Sequence, residues 1–117
     1  MASDLDIIER LRAMCLALPG ASEKLSHGEP AFFAGGRQFA NLDSFHHGAE
    51  HLSVWLAAPP GAQEVLIGAR PERFFRPPYR GHEGWVGVIL DTDPDWDEVA
   101  MLLAEAAAMV SAPKRRR

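Results

Sequence analysis

At Pro19-Gly20 the spacing of apolar residues along this chain changes, and that change constrains the fold more than any other feature. Before it, Leu5, Ile8, Leu11, Cys15 and Leu18 recur at three- and four-residue steps, the period of an amphipathic helix. Ser3 and Asp6 stand at capping-box spacing, with Asp in place of the usual Glu or Gln. After it, from Ser22 to Ala58, the apolar runs are short and alternate. The double glycine Gly35-Gly36 divides two of them, a hairpin signal. Leu52, Val54 and Leu56 alternate with Ser53 and Trp55. Three or four antiparallel strands are therefore expected, with "FHHGAE" as the turn between the last two.

The helical period returns twice. Residues 61–69 read as a short helix, and Asp93-Pro94-Asp95-Trp96 reads as the start of a long one, with Asp93 as cap and Pro94 in the first turn. The stripe of that last helix is Trp96, Val99, Ala100, Leu103, Ala106, Ala107 and Val110, and Pro113 ends it. Between the two helices, Pro77-Pro78 forces an extended approach to a buried strand, Trp85 to Leu90. The element order is α-β-β-β-β-α-β-α. This predicts an α+β, two-layer sandwich: one antiparallel sheet with helices on one face and the other face open to ligands. At 117 residues the chain is expected to form a single domain, residues 1–113, followed by a basic tail, 114–117.

Several function classes are disfavoured at this level. No apolar run approaches the ~20 residues of a membrane span, and the N-terminus has no signal-peptide pattern. One cysteine, Cys15, allows neither an internal disulfide nor a multi-cysteine metal site, and its helical spacing suits a buried hydrophobe. The expected setting is cytoplasmic, without membrane contact, and monomeric by default. His46, His47, Glu50 and His51 are close in sequence, but a glycine interrupts them and no helix presents two ligands together, so a solvated turn is expected. Ser26, His27 and Glu29 fall within four residues, which suits a strand turn better than a catalytic triad. No metal set, cofactor loop or catalytic residue set is visible, and a non-enzymatic role without cofactor is expected.

The candidate binding surface lies in "RPERFFRPPYRGHEGWVGVILD", Arg70 to Asp91. The net charge is −4, and the last four residues carry +4, so residues 1–113 sum to −8. Against that background four arginines stand within 70–80, interleaved with Phe74, Phe75 and Tyr79. A lip of Arg73, Arg76, Arg80 and His82, with Tyr79 stacking and the tail residues Lys114, Arg115 and Arg116 assisting, would neutralise phosphates and bind nucleic acid. Four neutralised phosphates on duplex DNA imply a salt slope of about −3.6. The bland alternative makes Phe74, Phe75 and Trp85 core anchors and the arginines a solvated edge. A protein or peptide adaptor using the open sheet face or an edge strand is a second reading. A small-ligand pocket near Trp55, Tyr79 and Trp85, with His27 and His82, is a third.

The blocks "LPGASEKLSHGEPAF", "PERFFRPPYRGHEGWVGV" and "DPDWDEV" resemble the MmcQ/YjbR family of small bacterial proteins, over a match running from Leu11 to Lys114. The resemblance implies a CyaY-like or secretion-chaperone-like sandwich, and DNA binding through a double-wing arrangement of strands and loops. It brings no catalytic residues. Its characteristic positions here include His27, Gly28, Pro30, Tyr79, Gly81 and Trp85. Ala107 departs from it, standing where an aromatic often sits in the last helix.

Overall fold

Ser3 opens the first helix, α1 (Asp4–Leu16), with the expected reciprocal cap: its hydroxyl accepts from the Asp6 N–H while the Asp6 carboxylate accepts from the Ser3 N–H. The computed structural model describes residues 2–45 and 50–112. The His46 and His47 part of the predicted turn and the tail, including Lys114, Arg115 and Arg116, lie outside the described residues. The buried line of α1 runs through Ile7, Leu11 and Cys15, and Leu5 is left exposed. At 100° per residue Ile7 lies about 40° from Leu11 around the helix and Leu5 about 120°. Burial, with a smaller contribution from Glu23, pushes the Cys15 thiol up to about 12.

Four strands follow: β1 (Ala21–Ser26), β2 (Glu29–Ala34), β3 (Arg37–Ser44) and β4 (Leu52–Leu56). Two-residue turns join the first three. His27-Gly28 and Gly35-Gly36 all have positive φ, the geometry that matches the right-handed twist of the paired strands. His27 is the one non-glycine among them, at φ 53. The predicted short helix is α2 (Ala62–Ala69). Two further strands, β5 (Phe74–Phe75) and β6 (Val86–Ile89), complete an antiparallel six-stranded sheet in the order β1-β2-β3-β4-β6-β5. The element order read from the sequence holds. β5 and a single 3₁₀ turn at Gly81–Glu83 are additions, each too short to leave a periodic signal.

The last helix, α3 (Trp96–Ser111), starts two residues later than its sequence suggests. Its cap is Asp95, whose carboxylate accepts from the N–H groups of Asp97 and Glu98 at 3.0 and 3.3 Å. Asp93 instead turns the chain at φ 56, and its carbonyl accepts from Arg73. Val99, Leu102, Leu103, Ala106 and Ala107 face the core, whereas Ala100 is exposed.

Helices α1 and α3 cover one face of the sheet. Phe32, Ala40, Leu56 and Val86 form one cross-strand row of that face, and Leu42, Val54, Val88 and Phe74 the next. All are buried, and this is the hydrophobic core. Arg12 of α1 clamps Glu23 of β1 through two hydrogen bonds of 2.8 and 2.9 Å. The Glu23 hydrogen bond and charge hold the Arg12 guanidinium well above its usual value.

Candidate functional site

The face of the sheet turned away from the helices carries Lys24, Ala31, Asn41, Trp55 and Gly87 in consecutive strands, each beside the next. Strict alternation along β3 would put Gln38 and Asn41 on opposite faces. A bulge prevents this. Phe33 pairs with Gln38, yet Phe32 pairs with Ala40, so one extra residue enters β3 between them. Gln38, Asn41 and Asp43 thereby share the uncovered face, and Gln38 Nε2 lies 3.5 Å from Asn41 Oδ1.

Trp55 lies on this face and is nevertheless buried, only 5% exposed. Its neighbour across β6 is Gly87, onto which the Phe75 ring folds. The Trp55 indole N–H donates to Ser53 Oγ at 3.2 Å. The segment from Arg76 to Trp85 then crosses over and forms one wall. It is fastened from below by Gln63 of α2, whose side-chain amide donates to the carbonyls of Gly81 and Trp85 at 2.9 and 2.6 Å. Gln63 is buried and also accepts from Arg76 Nη1. These bonds set the position of Tyr79 and Arg80.

The result is a concave cleft of about 510 Å³. Trp55 supplies its apolar surface, Tyr79 and Arg80 line it from the crossing segment, and His27 and Glu29 from the hairpin of β1 and β2. Tyr79 is 72% exposed and held at φ 66, a left-handed conformation that costs a bulky side chain on the order of 1–2 kcal/mol. The Arg80 guanidinium stacks on the Trp85 ring at 3.9 Å and donates to Glu83 Oε1 at 3.1 Å and Gln38 Oε1 at 3.3 Å. Those two bonds use two of its five N–H donors.

Two of the residues that line the cleft are buried carboxylates. Asp43 is 1% exposed and Glu29 8%. Glu29 accepts from the Ser44 N–H at 2.6 Å and from its hydroxyl at 2.8 Å. The amide N–H groups of Gln38 and Asn41 point toward the backbone carbonyls of Ala40 and Leu42, each at 3.4 Å.

The structure thus brings together two of the residues expected to form an arginine-rich lip, Tyr79 and Arg80. Arg73 is drawn away to the Asp93 carbonyl, Arg76 to Gln63, and His82 lies exposed on the 3₁₀ turn with its Nε2 3.7 Å from Glu83 Oε2. Arg70 pairs with Glu98, and that hydrogen bond raises its pKa. Phe74 and Trp85 are core anchors and Phe75 packs against the core. Of the residues expected around a small-ligand pocket, Trp55, Tyr79 and His27 line the cleft, and Trp85 backs Arg80. Sequence reasoning missed Gln38, Asn41, Asp43 and Gln63, and read Glu29 as part of a strand turn. A polar residue facing a cleft resembles one facing water until the crossing segment is in place. Among the described residues, no group of three or more His, Cys, Asp or Glu could hold a metal ion, and no helix is long and apolar enough to cross a membrane.

Among solved structures, the protein DR2400 of Deinococcus radiodurans, described as a DUF419 family-model domain, superposes with a TM-score of 0.75 at 24% identity, covering 89% of this chain and 78% of that one. That likeness concerns the fold. A search of curated proteins finds no match. The YjbR family model matches residues 16–106, a span that begins at the end of α1, takes in every strand and every wall of the cleft, and closes within α3; the chain belongs to the YjbR family.

Proposed function

We propose that this protein is a non-catalytic binding module that takes single-stranded nucleic acid, with one unstacked nucleotide seated in the cleft between Tyr79 and the turn at His27. The observation that carries this reading is the pairing of Tyr79, exposed and left-handed at the rim, with Arg80 beside it over the Trp55 floor. A planar group to stack a base and a guanidinium to meet its phosphate are what sequence-tolerant strand binding needs. Strain at a fixed, exposed aromatic is a common mark of a functional position. The cleft volume lies within the ~300–1,000 Å³ of small-ligand sites, room for a nucleotide and not for a duplex. The internal partners of Arg70, Arg73 and Arg76 argue against a continuous cationic row along duplex DNA. A cytoplasmic setting suits a chain with a single buried, unpaired cysteine.

The test is fluorescence anisotropy with labelled single-stranded and duplex DNA of one sequence, at 50 and 200 mM salt. One or two phosphate contacts on a single strand give a salt slope of about −0.7 to −1.4, so affinity drops roughly three- to sevenfold over that range. Tyr79→Ala lowers strand affinity at least fivefold, given about 1–3 kcal/mol per stacked base. A preference for duplex, or indifference to Tyr79→Ala, removes this reading.

One observation favours a protein or peptide partner as a second reading. β1 is a sheet edge six residues long, and Leu25 on it is 79% exposed. Leu25→Lys abolishes capture of such a partner and leaves strand binding unchanged.

A further inference from the structure

We infer that the cleft is only the first of two nucleotide seats, and that Phe33 and Lys24 form the second, beside it on the same uncovered face of the sheet. This rests on the nucleotide reading of the cleft given above and adds the seat of the adjoining nucleotide.

Phe32 and Phe33 are neighbours on β2 and point to opposite faces of the sheet. Phe32 is fully buried under the helices, whereas Phe33 is half-buried on the uncovered face. Phe33 pairs with Gln38 of β3, which lines the cleft, so it stands one strand beyond that lining, about 5 Å across the sheet. On its other side, on β1, Lys24 is exposed and holds its ammonium over the Phe33 ring, 5.3 Å from the centroid. Glu23, the carboxylate next to Lys24 in the chain, is clamped by Arg12 on the covered face. Lys24 makes no ion pair among the described residues. On the cleft side, Arg80 reaches Gln38 Oε1 at 3.3 Å. One aromatic ring is thus flanked by a guanidinium on the β3 side and an ammonium on the β1 side.

That order of groups suits a polynucleotide better than a lone nucleotide. Any base can stack on an aromatic ring, and along a strand a phosphate lies on each side of it. With the first nucleotide in the cleft and its phosphate at Arg80, the next base falls on Phe33 and the phosphate beyond it on Lys24. An ammonium–ring contact at an exposed site is weak and the lysine stem is flexible, so Lys24 can exchange the ring for a phosphate. The bulge in β3 joins the two seats, since it brings Gln38 to the uncovered face opposite Phe33.

The experiment is fluorescence anisotropy of the full chain at 50 and 200 mM salt. Labelled oligo-dT of two and four nucleotides is the probe, with dTMP and poly-glutamate as competitors. Wild type is compared with Phe33→Leu and Lys24→Ala, each checked for a native thermal transition. Wild type should bind the dinucleotide roughly fivefold or more tighter than dTMP, the contribution of one further stacked base. Phe33→Leu should lose that gain and still hold dTMP. Lys24→Ala should lower the salt slope for the tetranucleotide by about 0.7, one phosphate contact on a single strand. Should Phe33→Leu fail to fold, the wild-type length dependence and the Lys24→Ala slope still decide. No gain from one nucleotide to two, a gain that Phe33→Leu keeps, or a slope unchanged in Lys24→Ala overturns the second seat and leaves the first standing. Failure of dTMP and every strand to bind removes the nucleotide reading and this inference with it. Poly-glutamate competing as well as a strand also overturns the second seat, since charge without a base would then suffice.

Discussion

The Phe75 ring lies on the Cα of Gly87, so that a Cβ at position 87 would collide with it. The two residues are register partners on β5 and β6, and Trp55 flanks Gly87 from β4. The missing side chain of Gly87 is what leaves room for the Phe75 ring at this point of β6. Gly87→Ala should therefore cost about 1–3 kcal/mol through overpacking, measured by urea denaturation. An unchanged midpoint would show that the ring is free to swing away.

Tyr79 offers a separation of stability from binding. Its φ of 66 is left-handed, where glycine is at ease and tyrosine is not. In Tyr79→Gly, relief of that strain is offset by the greater chain entropy of glycine, so stability should stay within about 1 kcal/mol of wild type. Strand affinity should fall as in Tyr79→Ala. A large loss of stability would make Tyr79 a packing residue.

Gln63 is remote from the cleft surface yet holds its wall, through the carbonyls of Gly81 and Trp85. Gln63→Leu leaves those carbonyls short of a donor, at a cost of about 1–3 kcal/mol. Hydrogen exchange in residues 76–85 should accelerate together with the loss in strand affinity. Retention of both protection and affinity would contradict the positioning role.

The start of α3 separates two neighbouring aspartates. Asp95→Ala removes the side-chain cap and should cost about 1 kcal/mol. Asp93→Gly removes no cap and relieves a left-handed residue, so it should be neutral or slightly stabilising. Thermal melts of the two variants decide between them; equal losses would mean the cap is shared.

Cys15 has a thiol raised from 9.0 to about 12, chiefly by burial. A folded pKa above the unfolded one means the contribution to stability is complete below about pH 9 and is lost as pH rises toward 12. At pH 10.5 the wild type should have lost about 2 kcal/mol relative to Cys15→Ala, compared with pH 8. Thiol-reagent labelling at pH 8 should be slow in the native protein and fast in urea. Rapid native labelling would place the thiol at the surface.

Much of this architecture is written locally. The Ser3–Asp6 cap and the tight turn at Gly35-Gly36 each depend on a few adjacent residues and stand as the chain alone implies, and α1 ends at Leu16, two residues short of the Leu18 that the helical period includes, ahead of Pro19-Gly20. The hydrophobic period separates helix from strand because burial repeats every 3.6 or 2 residues along the chain itself. The sandwich and its element order follow from those local signals.

The cleft does not. Gln38 and Asn41 share a face only because a bulge adds one residue to β3, and a bulge is a property of two strands paired, with no mark in either alone. Arg73, Arg76 and Arg80 stand three and four residues apart in sequence, yet the first turns to Asp93 and the second to Gln63, and only the third reaches the cleft. Sequence determined which segments would be helices, strands and turns, since short-range sterics and burial period decide that. Tertiary structure decided which polar groups meet, because a guanidinium goes to whichever acceptor the folded chain brings within hydrogen-bonding distance; Asp93, Gln63 and Gln38 lie 13 to 42 residues from the arginines they meet, and only Glu83, a partner of Arg80, is local.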